Sequence, residues 1–320
     1  MKQILLYVIL IILFINSYGC KELVKQEKTD ATDELKSNKN QTQISYSFDD
    51  AKLLERLKQL SSDEFEGRQT GEEGNAKARA YIIEQFKSLN TEAFGGKYEH
   101  KFSFETKEKA YDAVNILSVV KGTEKPNEYI VVSAHYDHLG VKEEGIYNGA
   151  DDDASGVSAL FAFAEYLVKN PPKHSVILAA FDAEELGLQG ARYFVDKMNG
   201  STIVTNINMD MISRSKKNEI YAVGARYNDD LKTILSEFKN PTNTILLQGH
   251  DGSDEKQDWT YASDHGPFHR AKIPFLYFGD EDHPGYHKPS DEFENITPEF
   301  YKNSVEIILS IYSMIDNKAL

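Results

Sequence analysis

Acidic and histidine residues recur in this sequence directly after short apolar runs. The run YIVVSA is followed by His135 and Asp137, and the run TIVTNINM is followed by Asp210. A third run, SVILAAF, is followed within four residues by Glu184 and Glu185. Each residue alone has a structural explanation, but their recurrence at successive run ends points to a common cause. Imidazole and carboxylate groups without thiolates suit zinc, manganese or cobalt, so the pattern indicates a metal centre.

The stretch GADDDASG, residues 149–156, adds three consecutive acids to this pattern. A solvated turn would tolerate them, because Asp and Gly are common turn residues. Two close cations would neutralise their repulsion, and a carboxylate between the cations could bridge them. The segment GDEDHPGYHKPSD then supplies His283 and His287. Since metal pairs about 3.5 to 4 Å apart stabilise an attacking water and a developing oxyanion, hydrolysis is the predicted chemistry.

These residues require a scaffold that brings the ends of distant segments together. The runs AVNILSVVKG, YIVVSAHYD, SVILAAFD, TIVTNINMD, EIYAVG and IPFLYFG are predicted strands, and several are apolar throughout, as strands buried on both faces are. Helical patterns occupy residues 48–62, 75–90, 156–170, 191–199 and 298–317. The alternation predicts an α/β fold, a three-layer αβα sandwich with a central mixed, largely parallel sheet. In such sheets, sites collect at the carboxyl ends of the strands.

Composition limits the class of protein and its partners. The 320 residues are 40% hydrophobic and 27% charged, which is typical of a soluble globular protein. The formal charge of -15, without a basic stripe, makes a nucleic acid an unfavourable partner. The sequence does not indicate an oligomeric state.

The first twenty residues have the pattern of a signal peptide, with Lys2 before an apolar run over residues 4–15. An uncleaved membrane anchor is the alternative, but twelve apolar residues extend only about 18 Å as a helix, short of the roughly 30 Å hydrocarbon core. SYGC resembles a bacterial lipobox, which implies lipidation of Cys20 and a lipid-anchored protein of the bacterial cell envelope, either periplasmic or at the outer membrane or cell surface. Residues 21–45 are polar and are predicted to be a disordered tether. Residues 46–320 are then the catalytic domain.

Taken in order, the segments HYD, GADDDASG, AEELGLQG, NMD and YHKPSD resemble the two-zinc aminopeptidases of peptidase family M28. The upstream segment LSSDEFEGRQTGEEGNAKARAYI is also similar to bacterial members, so the resemblance extends over nearly the whole of the predicted domain. It implies the zinc aminopeptidase fold, two Zn²⁺ ions for which Mn²⁺ or Co²⁺ could substitute, and a peptide substrate.

The resemblance also implies a role for each matched residue. The implied metal ligands are His135, Asp152, Glu185, Asp210 and His287. Asp152 is the implied bridge, because the family motif places the bridging acid before a cis peptide bond, here to Asp153. Glu184 is the implied general base, and Asp137 is the implied acid that orients His135.

Two further residues are predicted to bind substrate. Asp264 belongs to SDHGPF, which resembles a family segment near the site, and Tyr286 could line a side-chain pocket. The aromatic residues Trp259, Tyr261 and Phe268 are candidates for the same pocket. The remaining histidines of interest are interpreted as structural or surface residues: His138, His269 and His283.

Alternative functions remain open at this point. A glutaminyl cyclase, which uses a single zinc on the same fold, would keep HYD and the paired acids. A catalytically dead binding protein would be expected to lose ligands or the base, whereas all of them are present here. An acidic site suits the α-amine of a peptide, and no cluster of arginines is evident for a terminal carboxylate, which favours an aminopeptidase over a carboxypeptidase.

Overall fold

Alternating strands and helices build the part of the chain that the computed structural model describes, residues 47–198 and 202–318. The strands are β1 (Glu92–Ala93), β2 (Glu99–Glu105), β3 (Ala110–Val120), β4 (Lys125–His135), β5 (Gly140–Lys142), β6 (Gly145–Tyr147), β7 (His174–Phe181), β8 (Thr202–Met209), β9 (Glu219–Val223), β10 (Ile245–Gln248) and β11 (Phe275–Gly279). The helices are α1 (Asp50–Leu60), α2 (Glu73–Ser88), α3 (Ser155–Lys169), α4 (Gln189–Lys197), α5 (Asp229–Glu237), α6 (His265–Arg270) and α7 (Pro298–Asn317). None of these helices is both long and apolar enough to cross a bilayer. The predicted signal peptide and tether lie outside the described residues.

A nine-stranded mixed sheet runs through the centre. Its order is β1-β3-β7-β4-β8-β11-β9-β10, and β2 pairs with β3. The central strands β7, β4, β8 and β11 are parallel to one another, whereas β3 is antiparallel to β7 and β9 is antiparallel to β11. The predicted fold class is therefore confirmed.

The continuous apolar runs form the middle of the sheet because both of its faces are covered. All eight residues of β7 are buried. On this strand, Val176, Leu178 and Ala180 pack with residues of α1, α3 and α7 on one face, while Ile177 and Ala179 pack with residues of α4 and α6 on the other. Alternate side chains of one strand thus enter two separate cores, which produces the three layers.

The predicted strands and helices are all present, but several elements had not been predicted. Strand β2 shows little continuous burial because it pairs only with β3 and lies off the main order of the sheet. The hairpin of β5 and β6 forms a separate two-stranded sheet. Short elements β10, α5 and α6 also lacked a long apolar pattern, which is the main signal for an element in a sequence.

The parallel order brings the functional loops to one edge of the sheet. His135 at the end of β4 is in register with Phe181 at the end of β7, and Met209 at the end of β8 is in register with Phe278 of β11. Helix α3 begins against the end of β8, since a Cβ on Gly156 would lie only 2.5 Å from the carbonyl oxygen of Met209. Glycine at this position therefore lets the GADDDASG loop approach the strand ends closely.

Candidate metal centre

The five predicted metal ligands meet at this edge of the sheet, in two groups that share Asp152. In the first group, His135 Nε2 lies 3.2 Å from Asp152 Oδ1 and 3.6 Å from Asp210 Oδ1. In the second group, His287 Nε2 lies 3.2 Å from Asp152 Oδ2 and 3.4 Å from Glu185 Oε2. The two carboxylate oxygens of Asp152 therefore face different histidines, which is the arrangement that a bridging ligand requires.

The three consecutive aspartates have three different environments. Asp151 accepts hydrogen bonds from the amide and hydroxyl of Ser213 at 2.7 and 2.8 Å. Asp153 accepts hydrogen bonds from the amides of His135 and Gly156 at 3.2 and 2.9 Å. Only Asp152 points into the metal centre, and the peptide bond between Asp152 and Asp153 is cis, as the resemblance had implied.

The imidazole of His135 is oriented differently from the prediction. Its Nδ1 lies 3.0 Å from the backbone carbonyl oxygen of Asp137 and 3.8 Å from the carboxylate. The carboxylate of Asp137 instead accepts the amides of Glu184 and Glu185 at 3.0 and 3.3 Å. Asp137 thus positions two elements of the site. Its carbonyl oxygen orients His135 so that Nε2 is free for a metal, and its carboxylate holds the loop that carries Glu184.

Glu184 lines a cavity beside the five ligands, and its side chain is partly buried. Burial raises the pKa of Glu184 well above its usual range, and the neighbouring acids Asp264 and Asp210 act in the same direction against His135. A carboxyl group with a raised pKa is a more effective proton acceptor near neutral pH. Asp264 is fully buried and neither of its oxygens has a hydrogen-bond partner in the described structure, and burial raises its pKa to about 7. Asp264 is not among the residues that line the cavity, so the structure does not place it where it was predicted to bind substrate.

The cavity beside the ligands has a volume of about 150 Å³. Tyr286 lines it and stacks on His287 with a centroid distance of 4.0 Å, and its contact with substrate stays a prediction. Trp259 lines it as well, but Phe268 is buried in the core and Tyr261 is 49% exposed away from it. The wider aromatic pocket proposed from the sequence thus has fewer members than predicted.

Two histidines that the sequence interpretation treated as structural or surface residues lie at the centre or beside it. His283 is largely buried, and its Nε2 lies 3.2 Å from Asp151 Oδ2, so it contacts the loop that carries the bridge. His138 is 1% exposed, and its Nδ1 lies 2.9 Å from Glu185 Oε1. Their positions depend on loops that turn back towards the strand ends, and no pattern in the sequence predicts such turns.

The donor set fits zinc. Nitrogen and carboxylate oxygen atoms converge in both groups. The Oε1 atom of Glu185 is buried without a hydrogen-bond partner in the described structure. Without a cation, burial and the charge of Asp152 would both disfavour ionised Glu185, yet His138 and His287 hold the pKa of Glu185 at about 2. Glu185 is therefore ionised and available as a ligand at neutral pH.

The family model of peptidase family M28 matches residues 115–312, which include all of the residues described above that converge on the centre. The chain belongs to peptidase family M28. Among curated relatives, the aminopeptidase YwaD of Bacillus subtilis (strain 168) is 30% identical over 210 residues, which cover 61% of this chain and 43% of YwaD. The match thus spans less than half the length of that relative.

Several solved structures share the fold. BSAP, a zinc aminopeptidase from Bacillus subtilis, has 18% sequence identity and a TM-score of 0.67, covering 85% of this chain and 97% of that one. A glutaminyl cyclase of Bacteroides thetaiotaomicron, bound to N-acetylhistamine, has 17% identity and a TM-score of 0.68, covering 85% and 99%. Because an aminopeptidase and a glutaminyl cyclase share this fold, the fold alone does not distinguish peptide hydrolysis from glutaminyl cyclisation.

Proposed function

We propose that this M28 family member is a metal-dependent aminopeptidase that hydrolyses the N-terminal residues of peptides with a pair of zinc ions. The observation that carries the proposal is the sharing of Asp152 between two groups of ligands, with Glu184 on the cavity beside them. A single-ion site would need only one of these groups.

Different residues bind the metal, transfer the proton and position the base. Zinc, when bound by His135, Asp152 and Asp210 and by Asp152, Glu185 and His287, supplies Lewis acidity and lowers the pKa of a bound water. Glu184 accepts a proton from the attacking water and returns it to the leaving amine. Asp137 fixes Glu184 through the backbone, so the base keeps its place beside the ligands without being one of them.

The charge of the cavity supports an N-terminal substrate group. Two more acidic residues, Asp280 and Asp282, line the cavity in addition to the ligands and Glu184. None of its described lining residues is Lys or Arg. Such a site attracts a protonated α-amine and offers no cation for a terminal carboxylate. This favours an aminopeptidase over a carboxypeptidase.

The test combines one variant with metal analysis. Glu184→Gln should lower kcat on aminoacyl-anilides by about 10²- to 10⁴-fold while the zinc content of the protein stays the same. Glu55→Gln, an exposed residue of α1, is the matched control and should retain full activity. Full activity of Glu184→Gln would remove this mechanism.

Glutaminyl cyclisation is the alternative that the same experiment decides. The proposed peptidase should bind two zinc ions per chain and cleave aminoacyl-anilides. One zinc per chain, together with ammonia release from an N-terminal glutaminyl peptide, would instead assign the cyclase reaction. A chain that binds zinc and turns over neither substrate would be a binding protein on the same scaffold.

We also propose that lipid on Cys20 holds the protein at the bacterial cell envelope. The proposal rests on the lipobox-like SYGC segment after an apolar run. Metabolic labelling with a fatty acid, compared between the natural protein and Cys20→Ser, tests it.

A further inference from the structure

His138 is the one buried histidine of the described chain whose ring nitrogens both lack a hydrogen-bond partner. The other four buried histidines each have one ring nitrogen within hydrogen-bonding distance of another residue. These are His135, His174, His250 and His265. A buried imidazole without a hydrogen-bond partner is unfavourable, so a partner that the described residues do not supply is expected at this position.

The Nδ1 atom of His138 faces the second group of ligands. It lies 2.9 Å from Glu185 Oε1 and 3.8 Å from Asp152 Oδ2. Although 2.9 Å is a hydrogen-bonding distance, Nδ1 and Oε1 are not aligned for a hydrogen bond, and Oε1 has no other partner in the described structure. Two ligand atoms of one metal ion lie close together, but each points at the ion and not at the other atom. His138 Nδ1 and Glu185 Oε1 have this arrangement.

The distances agree with one coordination sphere. Tetrahedral zinc with bonds of about 2.0 to 2.1 Å places its ligand atoms about 3.3 Å apart. The contacts of His138 and His287 with Asp152 and Glu185 are 2.9, 3.2, 3.4 and 3.8 Å, which lie on both sides of that value. Both histidines therefore approach the same two carboxylates at ligand-to-ligand spacing.

The backbone around His138 is built for this position. Its amide donates to the carbonyl oxygen of Arg68 at 3.3 Å, which fixes the turn after β4. A Cβ on Gly149 would lie 2.6 Å from Cδ2 of His138. Glycine at the start of the GADDDASG loop thus leaves the space that the imidazole occupies.

We propose that His138 is a fourth protein ligand of the ion held by Asp152, Glu185 and His287. The two ions are then unequal. Four protein ligands close a zinc site, whereas the three ligands His135, Asp152 and Asp210 leave an open position on the other ion. The first group therefore provides the coordination position for water or substrate, and the second holds its ion more tightly. This inference rests on the proposed metal pair, but not on the proposed reaction.

Cobalt binding to the metal-free full-length protein tests the assignment without substrate. Titration calorimetry of the natural protein should give one tighter and one weaker site. His138→Phe, which keeps a ring of similar size, should weaken the tighter site about tenfold or more and leave the weaker one within about threefold. His287→Phe should weaken the same site and His135→Phe the other, while His100→Gln on β2 should change neither. An unchanged tighter site in His138→Phe overturns the assignment.

A second measurement uses the natural protein and so does not depend on the folding of a variant. In the cobalt-loaded protein, each ligand imidazole gives one paramagnetically shifted, exchangeable N–H proton signal in NMR spectra. Three signals are expected, from His135, His138 and His287, and two signals would show that His138 is not a ligand. A protein that binds cobalt as expected and hydrolyses no peptide would contradict the proposed function and leave this inference intact.

Discussion

Arg68 provides the sharpest test of how the centre is held together. Its side chain is fully buried, and its guanidinium donates to four backbone carbonyl oxygens. One belongs to Tyr136, directly after His135, at 2.9 Å, and two belong to Asn148 and Gly149, at 2.5 and 3.0 Å, just before the aspartates. The fourth is the carbonyl of Leu60 at the end of α1, at 3.0 Å. One side chain thus ties both ligand loops to the first helix.

Replacing Arg68 by Met changes the free energy of unfolding through two opposing effects. Four hydrogen bonds from a charged donor stabilise by about 1.5 to 3 kcal/mol each, or roughly 6 to 12 kcal/mol together. Burial lowers the pKa of Arg68 from 12.5 to about 10, which corresponds to a cost of about 3 kcal/mol that the variant no longer has. The net loss in the free energy of unfolding should be at least about 3 kcal/mol, a large part of the stability of a typical domain.

Urea unfolding with chelator present measures this loss separately from metal binding. Arg68→Lys keeps the charge but has a single donor atom, which cannot reach carbonyls on both loops, so it should lose an intermediate amount. Arg192→Met, at an exposed position of α4, is the control and should change stability by less than about 0.5 kcal/mol. A loss below about 1 kcal/mol in Arg68→Met would refute the argument that these hydrogen bonds hold the loops.

Further predictions concern pH, metal removal and the amino-terminal region. Burial lowers the pKa of His265 to about 3, whereas a histidine of the unfolded chain has a pKa of about 6.5. The contribution of His265 to the free energy of unfolding is therefore fully present above pH 6.5 and is lost as the pH falls towards 3. In urea unfolding with chelator, the free energy of unfolding of the natural protein should fall by about 1.7 kcal/mol more than that of His265→Gln between pH 6.5 and 5, and equal losses would contradict this. Chelation should lower Tm, and zinc at one hundred times its Kd should restore about 2.7 kcal/mol, whereas a Tm that does not respond to zinc would argue against a metal centre. Cys20→Ser should abolish fatty-acid labelling and release the protein from membranes, and labelling that persists would contradict the lipoprotein assignment.

The sequence predicted the scaffold of the site well because the scaffold is local in origin. Strands such as β7 are continuous apolar runs, and parallel strands end at one edge of the sheet, so His135 and Asp210 could be expected to lie near one another. The bridge and the loop around Glu185 followed from the family resemblance.

The contacts that arise between loops were not predictable in the same way. His138 lies three residues beyond the end of β4, where the direction of the chain depends on Arg68 and on the space beside Gly149. The role of Asp137 differed for a similar reason, because the turn after the strand presents its carbonyl oxygen to His135 and turns its carboxylate to another loop. Long-range hydrogen bonds decide these details, and no periodicity in the sequence encodes them.

The three consecutive acids of GADDDASG are tolerated mainly because their side chains point to different partners. Asp151 Oδ1 accepts hydrogen bonds from Ser213, and its Oδ2 faces His283 Nε2 at 3.2 Å. Asp153 accepts hydrogen bonds from the amides of His135 and Gly156. Of the three aspartates, Asp152 is the one that faces the ligand histidines, and they hold its pKa well below the usual range although burial opposes its ionisation. Ser213→Ala, which removes the hydroxyl donor of Asp151, should thus lower the free energy of unfolding more than it weakens metal affinity, because Asp151 builds the loop that presents the bridge and does not itself face the ions.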